Sequence, residues 1–163
     1  MIFVLDASSL IAFYSDEELN RPDLLHSLAN DNNKLLIPIA VFTEIKEGHK
    51  RTFAILKNAI AQRKIEVSDD VLSEEAKSFG QRYPSLHYGE IHVLLLGLRF
   101  KARSVPYFCI IDEGPARIVA FRNDIATKGT KGLLFLLNQL GLIDRSIMEK
   151  LLYRLDHCNF RLK

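Results

Sequence analysis

Four acidic residues stand at positions from which they could act together on a phosphodiester bond. Asp6 and Asp112 each follow an apolar run, Glu44 lies less than two helical turns after another, and Glu90 opens a long apolar segment. Carboxylates that gather in one place repel one another by roughly 1–4 kcal/mol per close pair, and a divalent cation reverses that cost. Oxygen-only ligands suit Mg²⁺ or Mn²⁺, which activate water for phosphodiester hydrolysis.

The elements around these acids alternate between strand and helix. Short apolar runs predict strands at 2–6, 35–37, 64–67, 107–111 and 125–128. Helical spacing predicts a first helix from about residue 8 and two more at 40–48 and 51–63. Residues 68–70 are predicted to cap a helix that runs up to residue 79. Further helices are predicted at 90–100, 115–122, 133–140 and 144–156. This order favours an α/β domain with a parallel sheet, whose active sites lie beyond the carboxyl ends of the strands.

Each acid also has a purely structural interpretation. Asp6 and Asp112 could cap the helices that follow them, Glu44 could be a solvated helical residue, and Glu90 could complement its helix dipole. Taken singly, the structural interpretation is favoured for the two glutamates, and the two aspartates are evenly balanced. Taken together in this order, the four acids favour a functional site.

Length and composition bound the kind of protein. With 163 residues, 48% of them hydrophobic and 26% charged, the chain fits one globular domain that needs no disulfides. Asp6 interrupts the first apolar run too early for a secretory signal, so we expect a cytoplasmic protein without a membrane segment. Residues 1–98 carry ten Lys/Arg against fourteen Asp/Glu and the remainder twelve against six, net −4 and +6, which suits an acidic site beside a basic, phosphate-attracting surface.

The four acids lie in four short segments: Val4-Leu5-Asp6-Ala7-Ser8-Ser9-Leu10-Ile11, Val41-Phe42-Thr43-Glu44-Ile45, Gly89-Glu90 and Ile110-Ile111-Asp112-Glu113-Gly114-Pro115-Ala116-Arg117. In this order, the segments together resemble the PIN-domain family of nucleases, and the resemblance covers residues 2–143. It implies a PIN-like three-layer α/β/α domain over 1–163, with a core at 1–143 and a C-terminal helix and tail at 144–163.

The resemblance further implies a metal-dependent ribonuclease acting on single-stranded RNA. It carries the family's catalytic acids onto Asp6, Glu44, Glu90 and Asp112, of which Asp6, Glu90 and Asp112 would hold Mg²⁺ or Mn²⁺. Ser8 matches a small polar residue that helps to hold metal or water. Many family members are dimeric toxins silenced by an antitoxin peptide, so the resemblance also implies a homodimer and an antitoxin partner.

Several residues near these motifs are weaker candidates. Glu113 stands where the family often has a second Asp, and this departure also occurs in PIN-like proteins that bind RNA without cutting it. Thr130 could present its hydroxyl to a phosphate, although an N-cap is the commoner role for such a residue. Candidates for the RNA backbone are Arg117, Lys128 and Lys131, and candidates for base stacking are Tyr83, His87 and Tyr88, each with an ordinary surface or packing role as the alternative.

Three other classes of protein compete with this interpretation. A dehalogenase-type phosphatase needs a second Asp two residues after the first, where this chain has Ser8. A receiver domain needs paired acids after the first strand and a late lysine, for which Lys128 is a weak substitute. The strongest rival is a non-catalytic module that binds RNA or a protein partner on the same fold. Metal-dependent cleavage of RNA separates the first interpretation from this rival.

Overall fold

The computed structural model describes residues 1–112 and 114–158, so the candidate Glu113 and the tail 159–163 lie outside the described residues. The five strands are β1 (Ile2–Leu5), β2 (Lys34–Pro38), β3 (Glu66–Ser68), β4 (Tyr107–Ile110) and β5 (Thr127–Lys128). The helices are α1 (Ala7–Tyr14), α2 (Pro22–Ser27), α3 (Ile39–Gly48), α4 (Lys50–Ala61), α5 (Ser73–Arg82), α6 (Tyr88–Ala102), α7 (Gly114–Arg122), α8 (Thr130–Gln139) and α9 (Arg145–His157).

The strands form one parallel sheet in the order β3-β2-β1-β4-β5, in a PIN-like α/β/α architecture. The predicted parallel sheet is confirmed. After β1, the chain builds β2 and β3 on one side and then returns to place β4 on the other side. The strand order therefore reverses between β1 and β4, which is where open parallel sheets form a crevice beyond their carboxyl ends.

The two central strands are buried on both faces, as their unbroken apolar sequences predict. In β1, Phe3, Val4 and Leu5 are at most 1% exposed, and Cys109 and Ile110 of β4 are fully buried. Burial raises the pKa of the Cys109 thiol, because the thiolate would lose its hydration there. Cys109 therefore packs in the core.

Helix α6 packs closely against the central strands at a glycine. A Cβ atom built on Gly97 would lie 2.6 Å from Sγ of Cys109 and 2.9 Å from Cγ2 of Ile125. No real side chain can occupy that space, so the glycine sets how near the helix lies to β4.

Within the described ranges, no helix is long and apolar enough to cross a membrane.

One predicted helix start and one unpredicted helix distinguish the structure from the sequence-based expectation. Residues 68–70 do not cap α5, which begins at Ser73 behind Leu72. Ser68 is instead the last residue of β3, and its hydroxyl donates to the carboxylate of Asp70 at 3.1 Å. The side chains that suggested a cap therefore bond to one another in the connection after the strand. The short helix α2 was not predicted.

Candidate active site

Asp6 is the first residue after β1 and is only 4% exposed. Its backbone N–H donates to the carbonyl of Ile110 at 3.2 Å, which extends the pairing of β1 with β4 to the end of the strand. Ser8 Oγ donates to Oδ2 of Asp6 at 3.0 Å. Asp6 occupies the N-cap position of α1, but its side chain makes no capping hydrogen bond. The capping interpretation therefore does not account for this acid.

Burial raises the pKa of Asp6 from 3.8 to about 7. The hydrogen bond from Ser8 and the backbone N–H of Ala7 lower the pKa, while the negative charges of Glu90 and Glu44 raise it further. The electrostatic influence of both glutamates on Asp6 means that the three carboxylates share one region of the molecule. At neutral pH the site holds negative charge that its own hydrogen bonds only partly offset.

Glu90 is the third residue of α6 and is 4% exposed. Its Oε2 accepts a hydrogen bond of 2.7 Å from the backbone N–H of His87, immediately before the helix. This is the backward contact of a capping box, and it places a negative charge at the positive end of the helix dipole. The structural interpretation of Glu90 is therefore correct, and the same contact holds the carboxylate beside Asp6.

Glu44 approaches the other acids because Gly89 has no side chain. A Cβ atom on Gly89 would lie 2.7 Å from Oε2 of Glu44, 3.3 Å from Val41 and 3.8 Å from Oδ1 of Asp6. Glu44 itself is exposed on α3. A larger residue at position 89 would separate α3 from the start of α6 and move the acids apart.

A cavity of about 330 Å³ opens among Asp6, Ser8, Glu44 and Glu90. His49 and His87 line it as well. His49, at the junction of α3 and α4, was not among the residues singled out from the sequence. It stands outside every motif, and only the packing of the helix junction against the cavity brings it here.

Asp112 does not line this cavity, so the structure brings together three of the four predicted acids around it and not the fourth. Both carboxylate oxygens of Asp112 accept hydrogen bonds from Thr130, Oδ1 from its backbone N–H at 2.7 Å and Oδ2 from its hydroxyl. Thr130 is the first residue of α8 rather than its N-cap, which is Gly129. The predicted N-cap role of Thr130 is therefore wrong, because its hydroxyl binds the acid on the neighbouring loop.

The three basic candidates have different surroundings. Nη1 of Arg117 and Oδ1 of Asp112 both lie within 3.1 Å of the position that a Cβ on Gly129 would take, so this exposed arginine stands next to the fourth acid. Lys128 lies over the ring of Phe108 at 4.5 Å, and Lys131 forms an ion pair with Asp156. Arg117 thus lies next to one of the predicted acids, whereas Lys128 and Lys131 contact an aromatic ring and another carboxylate.

The aromatic candidates also separate into two groups. Tyr83 packs against Phe79 with ring centroids 4.9 Å apart and accepts a hydrogen bond from Asn123, so its role is in packing. Tyr88 is 57% exposed and lies at the start of α6, one residue after His87. Both Tyr88 and His87 border the acidic region.

Over residues 1–112 and 114–158, no group of three His, Cys, Asp or Glu side chains is arranged so that it could hold a metal ion. The donors fit a hard cation in their chemistry, since they are carboxylate oxygens around an open cavity. They fit it in charge too, because the buried Asp6 lies beside two further acids. The described residues therefore supply suitable donors without a finished ligand set.

The chain thus forms an α/β/α domain with acids just beyond its two central parallel strands, at the point of strand reversal. A family model described as "PIN domain" matches residues 2–163, and the chain belongs to this family. Among solved structures, the T. brucei RRP44 PIN domain is similar with a TM-score of 0.51 and 14% identity, covering 93% of this chain and 86% of that one. That likeness concerns the fold alone. Curated protein sequences give no significant match.

Proposed function

We propose that this protein is a divalent-metal-dependent endoribonuclease that hydrolyses phosphodiester bonds of single-stranded RNA. The observation that carries the proposal is the buried Asp6, whose pKa is raised to about 7 beside Glu90 and Glu44 at the sheet's point of strand reversal. A buried acid in such surroundings destabilises the fold, and strongly perturbed acids in clefts are candidates for function.

Asp6, Glu44, Glu90 and Asp112 are the proposed catalytic acids, and Asp6, Glu90 and Asp112 would hold Mg²⁺ or Mn²⁺. When bound, the metal would supply an activated water and offset the charge that develops on the phosphoryl group. Ser8 orients the carboxylate of Asp6, and the N–H of His87 orients that of Glu90. Thr130 orients Asp112, while Glu113, the remaining supporting candidate, lies outside the described residues.

The family supports further parts of the proposal. We infer a cytoplasmic toxin of a toxin–antitoxin pair, with an antitoxin protein covering the acidic cavity and two copies of the chain forming a homodimer. The exposed guanidinium of Arg117 beside Asp112 suits a phosphate of the RNA backbone. A monomeric mass in solution at micromolar concentration would refute the homodimer.

The deciding experiment is cleavage of a labelled, unstructured RNA by the purified protein with Mg²⁺, with Mn²⁺ and with chelator. Asp6→Asn is the test variant, and Glu149→Gln is its control, because Glu149 is an exposed acid paired with Arg145 on α9. We expect metal-dependent cleavage that Asp6→Asn abolishes and Glu149→Gln retains. Full activity of a folded Asp6→Asn protein would refute the proposal.

A second candidate function is a non-catalytic module that binds RNA or a protein on the same fold. Two observations favour it: the described side chains do not form a finished metal-ligand set, and the fourth motif reads Asp112-Glu113. Under this alternative, the folded wild-type protein binds RNA or a partner but cuts no RNA with either metal. The same cleavage experiment therefore separates the two functions.

A further inference from the structure

A second cavity, of about 540 Å³, adjoins the acidic one. The two cavities share Glu44 and His87 as lining residues, so they lie side by side. The second cavity is bordered by Ile39 at the start of α3 and by Tyr88 at the start of α6. A chain that occupies the acidic cavity would pass directly into this neighbouring space.

The ring of Tyr88 is exposed but supported from below. It is 57% exposed, and its centroid lies 4.5 Å from that of His92, one helical turn further along α6. His92 is only 3% exposed, and neither of its ring nitrogens has a hydrogen-bond partner among the described residues. An imidazole buried in this way contributes no bonding network. Its evident role is to form a seat for the ring of Tyr88, which it contacts at an interplanar angle of 60°.

The charges around the second cavity select what it can bind. Glu44 and Glu47 both line it, and their carboxylates would repel a phosphate placed there. Ile39 and Tyr88 offer apolar surfaces, being 39% and 57% exposed. A flat, uncharged group that carries hydrogen-bond donors on its edge matches both features. Nucleobases have that combination.

We propose that Tyr88, seated on His92, is a stacking platform for the nucleobase adjacent to the phosphate at the acidic cavity. This inference rests on the proposed action on RNA and assigns the neighbouring subsite. Stacking on an aromatic side chain contributes roughly 1–3 kcal/mol per base. Because the seat holds the tyrosine ring in place before RNA arrives, little conformational freedom is lost on binding.

The acidic lining also predicts which bases this subsite prefers. Carboxylates only accept hydrogen bonds, and Glu47 therefore favours bases whose edge carries an amino group. Cytosine, adenine and guanine have such groups, whereas the exocyclic atoms of uracil are carbonyl oxygens, which a carboxylate repels. The subsite is thus specific for amino-bearing bases over uracil.

The test measures binding of unstructured, fluorescein-labelled RNA heptamers of adenosine, cytidine or uridine by anisotropy. All proteins carry Asp6→Asn, so that RNA is not cut. The variants are Tyr88→Ala, Tyr88→Phe and the matched control Tyr153→Ala. Tyr153 is 66% exposed and contacts a histidine four residues later, as Tyr88 does, although its ring stacks on His157 at 21° and it lines neither cavity.

We expect Tyr88→Ala to raise the Kd for adenosine and cytidine heptamers by roughly 5- to 150-fold. Tyr88→Phe, which keeps the ring, should restore most of the affinity, and Tyr153→Ala should change the Kd by less than about twofold. Uridine heptamers should bind more weakly than cytidine heptamers. Glu47→Gln should narrow that difference, because an amide can donate to a carbonyl.

The outcomes distinguish this inference from the proposed function. An unchanged Kd for Tyr88→Ala overturns the stacking platform, even if the wild-type protein cuts RNA. Binding that depends on Tyr88, in a protein that never cuts RNA, supports the platform and refutes the nuclease. Failure of every heptamer to bind overturns both, and equal affinity for uridine and cytidine overturns the base preference.

Discussion

Replacing Asp6 with asparagine should stabilise the protein at alkaline pH. The pKa of Asp6 is about 7 in the folded protein against 3.8 for the ordinary group. An acid with a raised folded pKa binds its proton more tightly in the folded state, so the free energy of unfolding falls as pH rises from about 4 to about 7. Three pKa units correspond to roughly 4 kcal/mol, fully developed above the folded pKa.

The asparagine variant removes that cost while keeping the shape of the side chain. Its amide oxygen can still accept the hydrogen bond that Ser8 donates to Asp6. About 3 kcal/mol of the cost develops between pH 5 and pH 8, so the gain in unfolding free energy should grow by up to that amount over this range. For a chain of this length each kcal/mol shifts the Tm by roughly 2–4 °C.

The assay is urea unfolding of both proteins in chelator at pH 5, 6, 7 and 8, followed by circular dichroism. The quantity of interest is the difference between the two unfolding free energies at each pH, because titrations elsewhere in the chain cancel in that difference. A difference that stays constant from pH 5 to pH 8 would show that Asp6 titrates normally. The electrostatic basis of the proposed site would then be wrong.

Three further predictions concern the frame around the site, each measured by urea unfolding. Gly97→Ala should lower the free energy of unfolding by about 1–3 kcal/mol, because the new Cβ would lie 2.6 Å from a buried sulfur. Gly48→Ala, whose Cβ would have no atom within 4 Å, should not lower it. Equal effects of the two substitutions would contradict the close packing of α6. Thr130→Val should lower the free energy of unfolding by about 1–3 kcal/mol and reduce cleavage, because Asp112 loses a hydroxyl donor. Thr130→Ser should restore both stability and cleavage. A valine variant with unchanged stability and cleavage would show that Thr130 has no role in the site. Asp144→Ala should lower the free energy of unfolding by about 1 kcal/mol, because the Asp144 carboxylate accepts a hydrogen bond of 2.8 Å from a backbone N–H of α9. Asp144→Asn should recover most of this loss. An alanine variant as stable as the wild-type protein would show that the cap is not needed.

The strands and helices that could be predicted from the sequence are those whose apolar residues follow one regular spacing. The run Tyr107–Ile110 is apolar throughout because β4 is covered on both sides, and such runs identify strands of a parallel sheet. Helix α2, at Pro22–Ser27, has only six residues, which is too short for a helical period to emerge. The start of α5 was missed because Ser68 makes its hydrogen bond to a neighbouring acid instead of to a helix end.

The candidate site was predictable in part, for a related reason. Strand ends can be read from the sequence, so Asp6 and Asp112 could be placed at one edge of the sheet. His49 lines the cavity, and Thr130 donates a hydrogen bond to Asp112, because segments far apart in the sequence come into contact. Neither contact leaves a periodic signal. The raised pKa of Asp6 likewise follows from packing by α3 and α6, which strand position alone does not reveal.

The position of Asp6 just after β1 raises its pKa, which lowers the stability of the fold, and also places its side chain at the cavity. Strand β1 lies between neighbours whose connections leave in opposite directions, so the space beyond its end remains open. The strand itself is almost wholly buried, and its apolar contacts hold the chain in place up to Leu5. The course of the chain therefore does not depend on the residue that follows, although its stability does. A substitution within β1 would disturb fold and site together, whereas Asp6→Asn changes the site alone, which is why its effects on cleavage and on stability can be interpreted separately.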